Sequence, residues 1–201
     1  MGIAISGKLI LASASPRRIE LLKLLGLAFE VMPSGIDEAY RHGETPREHV
    51  LRLSEEKTLS VARLHPEAWV LGADTIVIID RAVLGKPGSP AEAQSMLEKL
   101  SGREHEVYTG FSIAGRGKGV LFRQVVESTV LFREIAPDEL AWYVASEEPY
   151  DKAGAYAVQG MSAFFIREIR GPYTNVMGLP LCEVVDALRG LSVVAFTGGQ
   201  G

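Results

Sequence analysis

Two arginines stand where local helix chemistry would not place them. The stretch "LASASPRRIELL" (11–22) passes from small residues into a helix that opens at Pro16 behind a hydroxyl N-cap, Ser15. Arg17 and Arg18 then face the partial positive charge of the helix start, an arrangement disfavoured by about 0.3–1 kcal/mol each. The chain carries its own control. Thr45-Pro46 and Ser89-Pro90 open two further helices in the same way, and each has a glutamate three residues after the cap, Glu48 and Glu92. At the first helix that position is Arg18. An anion held at the helix start would account for the exception, because backbone N–H groups and two guanidinium forks would converge on it. Ser13, Ala14 and Ser15 are small enough to let phosphate oxygens approach the backbone. The other reading is that the arginines turn away and pair with Glu20 or another carboxylate.

A carboxylate provides the second chemical feature. Asp74 interrupts "WVLGADTIVII", whose other residues favour burial. An ionised group there is costly unless it meets a cation, a metal or several donors. Gly72 and Ala73 leave room beside it, and Thr75 offers a hydroxyl next door. A plainer role, bonding to backbone N–H groups at a bulge, is also open. The loop pair Asp37-Glu38 together with Asp74 would give hard oxygen ligands for Mg²⁺, which keeps most of its waters and shares the rest of its shell with phosphates. Lys86 in "LGKP" and Lys152 in "PYDKAGAYAVQG" are candidates for neutralising a polyphosphate, with Lys57 in "SEEKTLS" a further one. Gln159 has an amide suited to reading a base edge. His42, His49, His65 and His105 lack ligand spacing and read as scattered through polar contexts, so a histidine zinc site and a Ser-His-Asp triad are not expected.

The elements that must position these groups follow from pattern. Strands are expected at 8–12 and 29–33, with helices at 16–25 and 46–64 between and after them. "AWVLGADTIVIID" reads as a strand apolar on both faces, at the centre of a sheet covered on both sides by helices. A helix at 90–100 is followed by a long hairpin around "GRGKG", which is a turn and not a phosphate loop because no GxxxxGK[ST] is present. A helix at 137–146, strands at "AYAVQG" and "AFFIREIRG", and a last helix at 179–188 complete the reading. The tail "AFTGGQG" is expected to be mobile.

Composition narrows the class. The 201 residues suit one domain with a substantial core, and 47% hydrophobic and 23% charged residues are ordinary for a globular protein. A net charge of −4 argues against general binding to nucleic-acid polymers while leaving room for a local anion pocket. The single cysteine, Cys182, excludes an intrachain disulfide and is expected in the core. Neither a signal peptide nor a bilayer-spanning run is legible, so a cytoplasmic protein without membrane association is expected.

"LILASASPRRIELL", "GADTIVIID", "GKP", "DKAGAYAVQG" and "NVMGLPL" occur in the order and approximate spacing of the Maf family of nucleoside triphosphate pyrophosphatases. The chain resembles that family over about residues 8–190, as a single domain within 1–201. The resemblance implies an α/β fold like that of inosine triphosphate pyrophosphatases: a long mixed β-sheet flanked by helices, with a cleft between two lobes. It implies cleavage of a nucleoside triphosphate between the α- and β-phosphates, with a divalent cation, Mg²⁺ or Mn²⁺. Asp74 falls at the position of the proton acceptor, with Glu38 and Lys86 beside it in the catalytic set; Asp74 and Glu38 are the expected metal ligands, and their roles could be exchanged. Arg17, Thr75 and Gln159 match positions linked to substrate choice, and Ser13, Arg18, Lys57 and Lys152 match polar positions of the cleft. "DKAGAYAVQG" is similar to the branch acting on dTTP and UTP; the 7-methyl-GTP branch differs there. Pro172 and Met177 depart from the smaller or more variable residues expected around the last motif. A homodimer is a family-level expectation, and modified pyrimidine nucleotides are further candidate substrates. The alternative is a nucleotide-binding regulator of cell division that acts without catalysis.

Overall fold

The computed structural model describes residues 2–197. In chain order its elements are β1 (Gly2–Ile5), β2 (Leu9–Leu11), α1 (Pro16–Leu24), β3 (Glu30–Val31), α2 (Pro46–Ala62), β4 (Trp69–Ile79) and β5 (Ala82–Leu84). There follow α3 (Pro90–Leu100), β6 (Glu104–Gly115), β7 (Val120–Phe132), α4 (Pro137–Val144), β8 (Ile166–Arg170), α5 (Tyr173–Val176), α6 (Leu181–Gly190) and β9 (Val194–Thr197). Seven strands form one sheet in the order β3-β2-β4-β6-β7-β8, with β5 paired to β4. It is mixed: β2 runs parallel to β3 and β4, whereas β5 and β8 run antiparallel to β4 and β7. The α/β class and the mixed sheet flanked by helices are as expected.

The chain divides into two compact units. The first comprises Met1–Asp74, Thr109–Val126 and Gly178–Gly201, and the second Thr75–Tyr108 and Glu127–Met177. The core of the first unit includes Ile10, Ala12, Val61, Ala68 and Val70. That of the second gathers Val77, Leu97, Phe132, Tyr143, Tyr156 and Phe165 among others. Strand β4 contributes to both units and is buried along its length apart from Thr75, as the apolar residues on either side of Asp74 demand.

The three proline-led helix starts differ in how they are capped. At α2 the Thr45 hydroxyl accepts from the Glu48 N–H while the Glu48 carboxylate accepts from Thr45 N–H, a reciprocal capping box. At α3 the Ser89 hydroxyl accepts from the Glu92 N–H, but the Glu92 carboxylate takes the Gly88 N–H instead of closing on Ser89. At α1 Ser15 makes no side-chain cap at all. The local rule fails where Arg17 and Arg18 sit.

Four expectations need correction. "AYAVQG" (155–160) is not a strand: Ala155 closes the short 3₁₀ turn Ala153–Ala155, in which Gly154 adopts φ +69°, and 156–160 are irregular. Residues 195–197 are not a loose tail but belong to β9, paired antiparallel with β1; 198–201 lie outside the described residues. Cys182 is exposed, since α6 turns Val184, Ala187 and Leu188 inward and leaves position 182 on its outer face. His105 is not in a polar context but buried against the Phe132 and Tyr156 rings, whereas His49, also buried, keeps Glu44 and Arg52 as polar partners.

Candidate active site

Helix α2 can approach β4 because Gly72 has no side chain. A Cβ there would press on the Thr58 hydroxyl and come within 2.8 Å of the Ser54 carbonyl oxygen and 2.9 Å of the Thr58 amide nitrogen. Gly110 does the same on β6, where a Cβ would run into the Val50 carbonyl. Thr58 seals the approach by donating to Ser54 O at 2.8 Å and meeting Ser112 Oγ at 2.7 Å. The residue before Thr58 is thereby set beside Asp74.

That residue is Lys57, and it answers how the Asp74 carboxylate survives inside an apolar strand. Lys57 Nζ lies 2.7 Å from Asp74 Oδ1 and 2.6 Å from Glu38 Oε1. Lys57 and Asp74 are buried at 6% exposure each, whereas the Glu38 side chain reaches in from an open loop and stays 56% exposed. One ammonium thus sits between two carboxylates whose hard oxygens turn toward it. The members of the Asp37-Glu38 pair thus act differently. Glu38 faces Lys57, while Asp37 Oδ1 accepts the Ala39 N–H at 3.0 Å and fixes the turn.

Arg18 is buried in the same unit. Its Nε donates to Gly178 O at 2.7 Å, and its Nη1 donates to Ala73 O at 2.8 Å and to Ser13 Oγ at 3.3 Å. Burial pulls its pKa down, the Asp74 and Glu38 charges pull it back up, and Arg17 lowers it again. These bonds give an arginine at the third helical position a use that local helix energetics does not: a planar fork ties α1 to the residue before Asp74 and to the segment leading into α6. Ser13 Oγ also accepts from Ser15 N–H at 3.2 Å, which holds the small-residue loop in front of the helix. Arg17 is half-buried at the first turn.

A second group in this unit escapes a reading of the sequence alone. The Glu44 carboxylate, largely shielded from solvent, is forked by Arg52, Nε to Oε1 at 2.6 Å and Nη2 to Oε2 at 2.8 Å, with His49 Nδ1 3.0 Å from Oε2. The Arg52 hydrogen bonds hold Glu44 down at about 2, against desolvation, with smaller help from His49 and the Arg41 N–H. Its signal is His49, Arg52 and Glu56 at helical spacing on α2, with Glu44 just ahead of the cap.

Lys86, Lys152, Thr75 and Gln159 belong to the second unit. Thr75 follows Asp74 in β4 and is half-buried. Lys86 is exposed in the loop after β5. The carbonyl of its neighbour Gly85 accepts the Gly154 N–H at 3.0 Å, so the "GKP" and "DKAGAY" loops are joined. Lys152 Nζ donates to Glu148 O at 2.8 Å and pairs with the Asp151 carboxylate. Gln159 is exposed in irregular chain. The segment after it is fixed by Glu148, whose carboxylate accepts from the Met161 and Ser162 N–H groups. Burial raises the Glu148 pKa, but these bonds and the Tyr143 hydroxyl bring it below the ordinary value.

Among the described residues no three His, Cys, Asp or Glu side chains gather as in a metal site made wholly by protein, and no helix is long and apolar enough to cross a membrane.

Known proteins resemble the chain over most of its length. A family model described as Maf-like protein matches residues 8–191. A dTTP/UTP pyrophosphatase of Syntrophus aciditrophicus is 65% identical over 193 residues, covering 96% of this chain and 94% of that protein. Another of that name, from Geotalea uraniireducens, is 47% identical, covering 92% and 96%. Among solved structures, the Ham1 protein of Staphylococcus aureus aligns with a TM-score of 0.49 at 16% identity, over 92% of this chain and 99% of that one.

Proposed function

The chain belongs to the Maf-like protein family, and from that premise we propose that it hydrolyses dTTP and UTP to the nucleoside monophosphate and pyrophosphate. The relatives' names support the substrate class. The observation that carries the chemistry is the buried Asp74 held beside Lys57, with Glu38 closing the group. Those same names do not favour a regulator acting without catalysis.

The donor set fits a divalent cation of the Mg²⁺ or Mn²⁺ type. Asp74 and Glu38 supply only hard oxygens, already turned toward one positive charge, and too few of them to displace all of the ion's waters. When bound, such an ion would polarise phosphate oxygens and ease ionisation of a water. Asp74 would accept the proton of the attacking water. Lys57 offsets the cost of burying the Asp74 carboxylate. Arg17, with the Ser13–Ser15 loop ahead of α1, is proposed to bind phosphate oxygens, and Arg18 to hold that loop and the Ala73–Asp74 backbone in place. From their motif positions we propose Lys86 and Lys152 as further substrate ligands, and Arg17, Thr75 and Gln159 as residues that choose the base. A cytoplasmic location and a homodimer go with this proposal.

The test is a panel of nucleoside triphosphates, including dTTP, UTP, CTP and 7-methyl-GTP, with Mg²⁺ and product identification. Turnover of dTTP and UTP to equimolar monophosphate and pyrophosphate is expected. A preference for 7-methyl-GTP would contradict the proposed branch, and orthophosphate as the sole inorganic product would contradict the reaction.

A further inference from the structure

Glu38 sits in a stretch with no regular structure, from the end of β3 to the start of α2. A carboxylate on such a segment reaches Lys57 reproducibly only if the backbone on either side is fixed. Several contacts fix it, and they lead to one helix. Ala39, the next residue, has its N–H held by Asp37 Oδ1 and its carbonyl held by Arg52 Nη2 at 3.1 Å. Further along the loop, Glu44 is forked by Arg52 through two nitrogens at 2.6 and 2.8 Å. Arg52 Nη1 reaches Glu56 at 3.2 Å, and Glu56 in turn takes Arg41 Nη2 from the loop at 2.7 Å. Between these anchors the Tyr40 ring stacks on His49, with centroids 3.7 Å apart and planes within 10°.

We infer that Arg52 is a positioning residue for the reaction: through the Ala39 carbonyl and the Glu44 carboxylate it holds Glu38 against Lys57. Helix α2 therefore grips the loop at Arg52 and receives its carboxylate at Lys57, so both ends of the geometry share one rigid element. A planar fork is required. Lysine at 52 would keep the charge but could not serve Ala39, Glu44 and Glu56 in three directions at once. The rate consequence rests on the pyrophosphatase reading; the structural consequence does not.

A double-mutant cycle separates positioning from general support of the fold. Arg52→Lys should lower kcat for dTTP about 10-fold with KM changed less than about 2-fold, and in a Glu38→Gln background it should cost less than about 2-fold more. An equal loss in both backgrounds, or no loss in either, would overturn the inference. Hydrogen exchange gives a readout independent of turnover. In Arg52→Lys, peptides spanning 36–42 should exchange about 10-fold faster, while the interior of α2 keeps its native rate. Unchanged exchange at 36–42, or faster exchange throughout α2, would equally overturn it. If Arg52→Lys does not fold, Glu44→Gln serves in its place with the same two patterns expected. A native protein inactive on dTTP and UTP would defeat the functional reading alone, and the exchange result would still decide the role of Arg52.

Discussion

Lys57 is the cation on which Asp74 and Glu38 meet. It is a buried cation whose two partners are one buried and one largely exposed carboxylate. Removing it takes the hydrogen-bonded ammonium from the buried Asp74 carboxylate, which costs more than the pair itself contributes. Lys57→Met should therefore lower unfolding free energy by about 3 kcal/mol, and adding Asp74→Asn should restore most of that loss. Urea unfolding of the two variants checks this. Equal instability of the single and double variants would show that packing, not charge, explains the residue. Some residues are legible alone: Asp74 because an acid inside an apolar run requires a partner, and Arg18 because it breaks the helix-start rule. Arg52 and Glu44 are not, since their meaning depends on a loop folding back onto the helix. By type and position Arg18 reads as an anion ligand, yet the bonds of its Nε and Nη1 end on backbone carbonyls and Ser13. An unusual residue type announces a role without saying which.

Among the elements, α2 and β4 matter most, and Gly72 sets the distance between them. Gly72→Ala would force α2 outward, because the new methyl meets the Ser54 carbonyl and Thr58 backbone, which cannot rotate away. We expect a loss of about 1–3 kcal/mol in stability. A disproportionate loss of kcat should accompany it, as Lys57 withdraws with Thr58. Native kcat in a folded Gly72→Ala protein would show that the close approach is not what places Lys57. Elements governed by neighbours in sequence are readable. The helix expected at 90–100 has its cap, its proline and its glutamate within four residues, and it stands at Pro90–Leu100. Elements governed by distant packing are not: "AYAVQG" has strand composition but follows a 3₁₀ turn as irregular chain, and β1 has no pattern that announces β9.

Over the full chain, two shielded groups make stability depend on pH in successive ranges. His105, in the second unit, has its pKa lowered from 6.5 to about 4 by burial, with Nε2 2.8 Å from the Tyr156 hydroxyl and no partner at Nδ1 among the described residues. The unfolded chain binds its proton first, so stability falls as pH drops from 6.5 toward 4. Glu44, in the first unit, is held at about 2 against an ordinary 4.5, so its contribution is complete above 4.5 and is lost as pH falls toward 2. Urea midpoints measured across this range should decline through both intervals. His105→Gln should flatten only the upper one and Glu44→Gln only the lower; a decline untouched by either would assign it to other groups.

Everything proposed for the site turns on Asp74 activating water for attack on a nucleoside triphosphate. Phosphorus NMR of dTTP consumed by the purified protein with Mg²⁺, run beside folded Asp74→Asn, decides it. The native chain should give dTMP and pyrophosphate in equal amounts, at a rate about 10²–10⁴-fold above that of the variant. Formation of dTDP and orthophosphate, or an Asp74→Asn protein that works at the native rate, would contradict it.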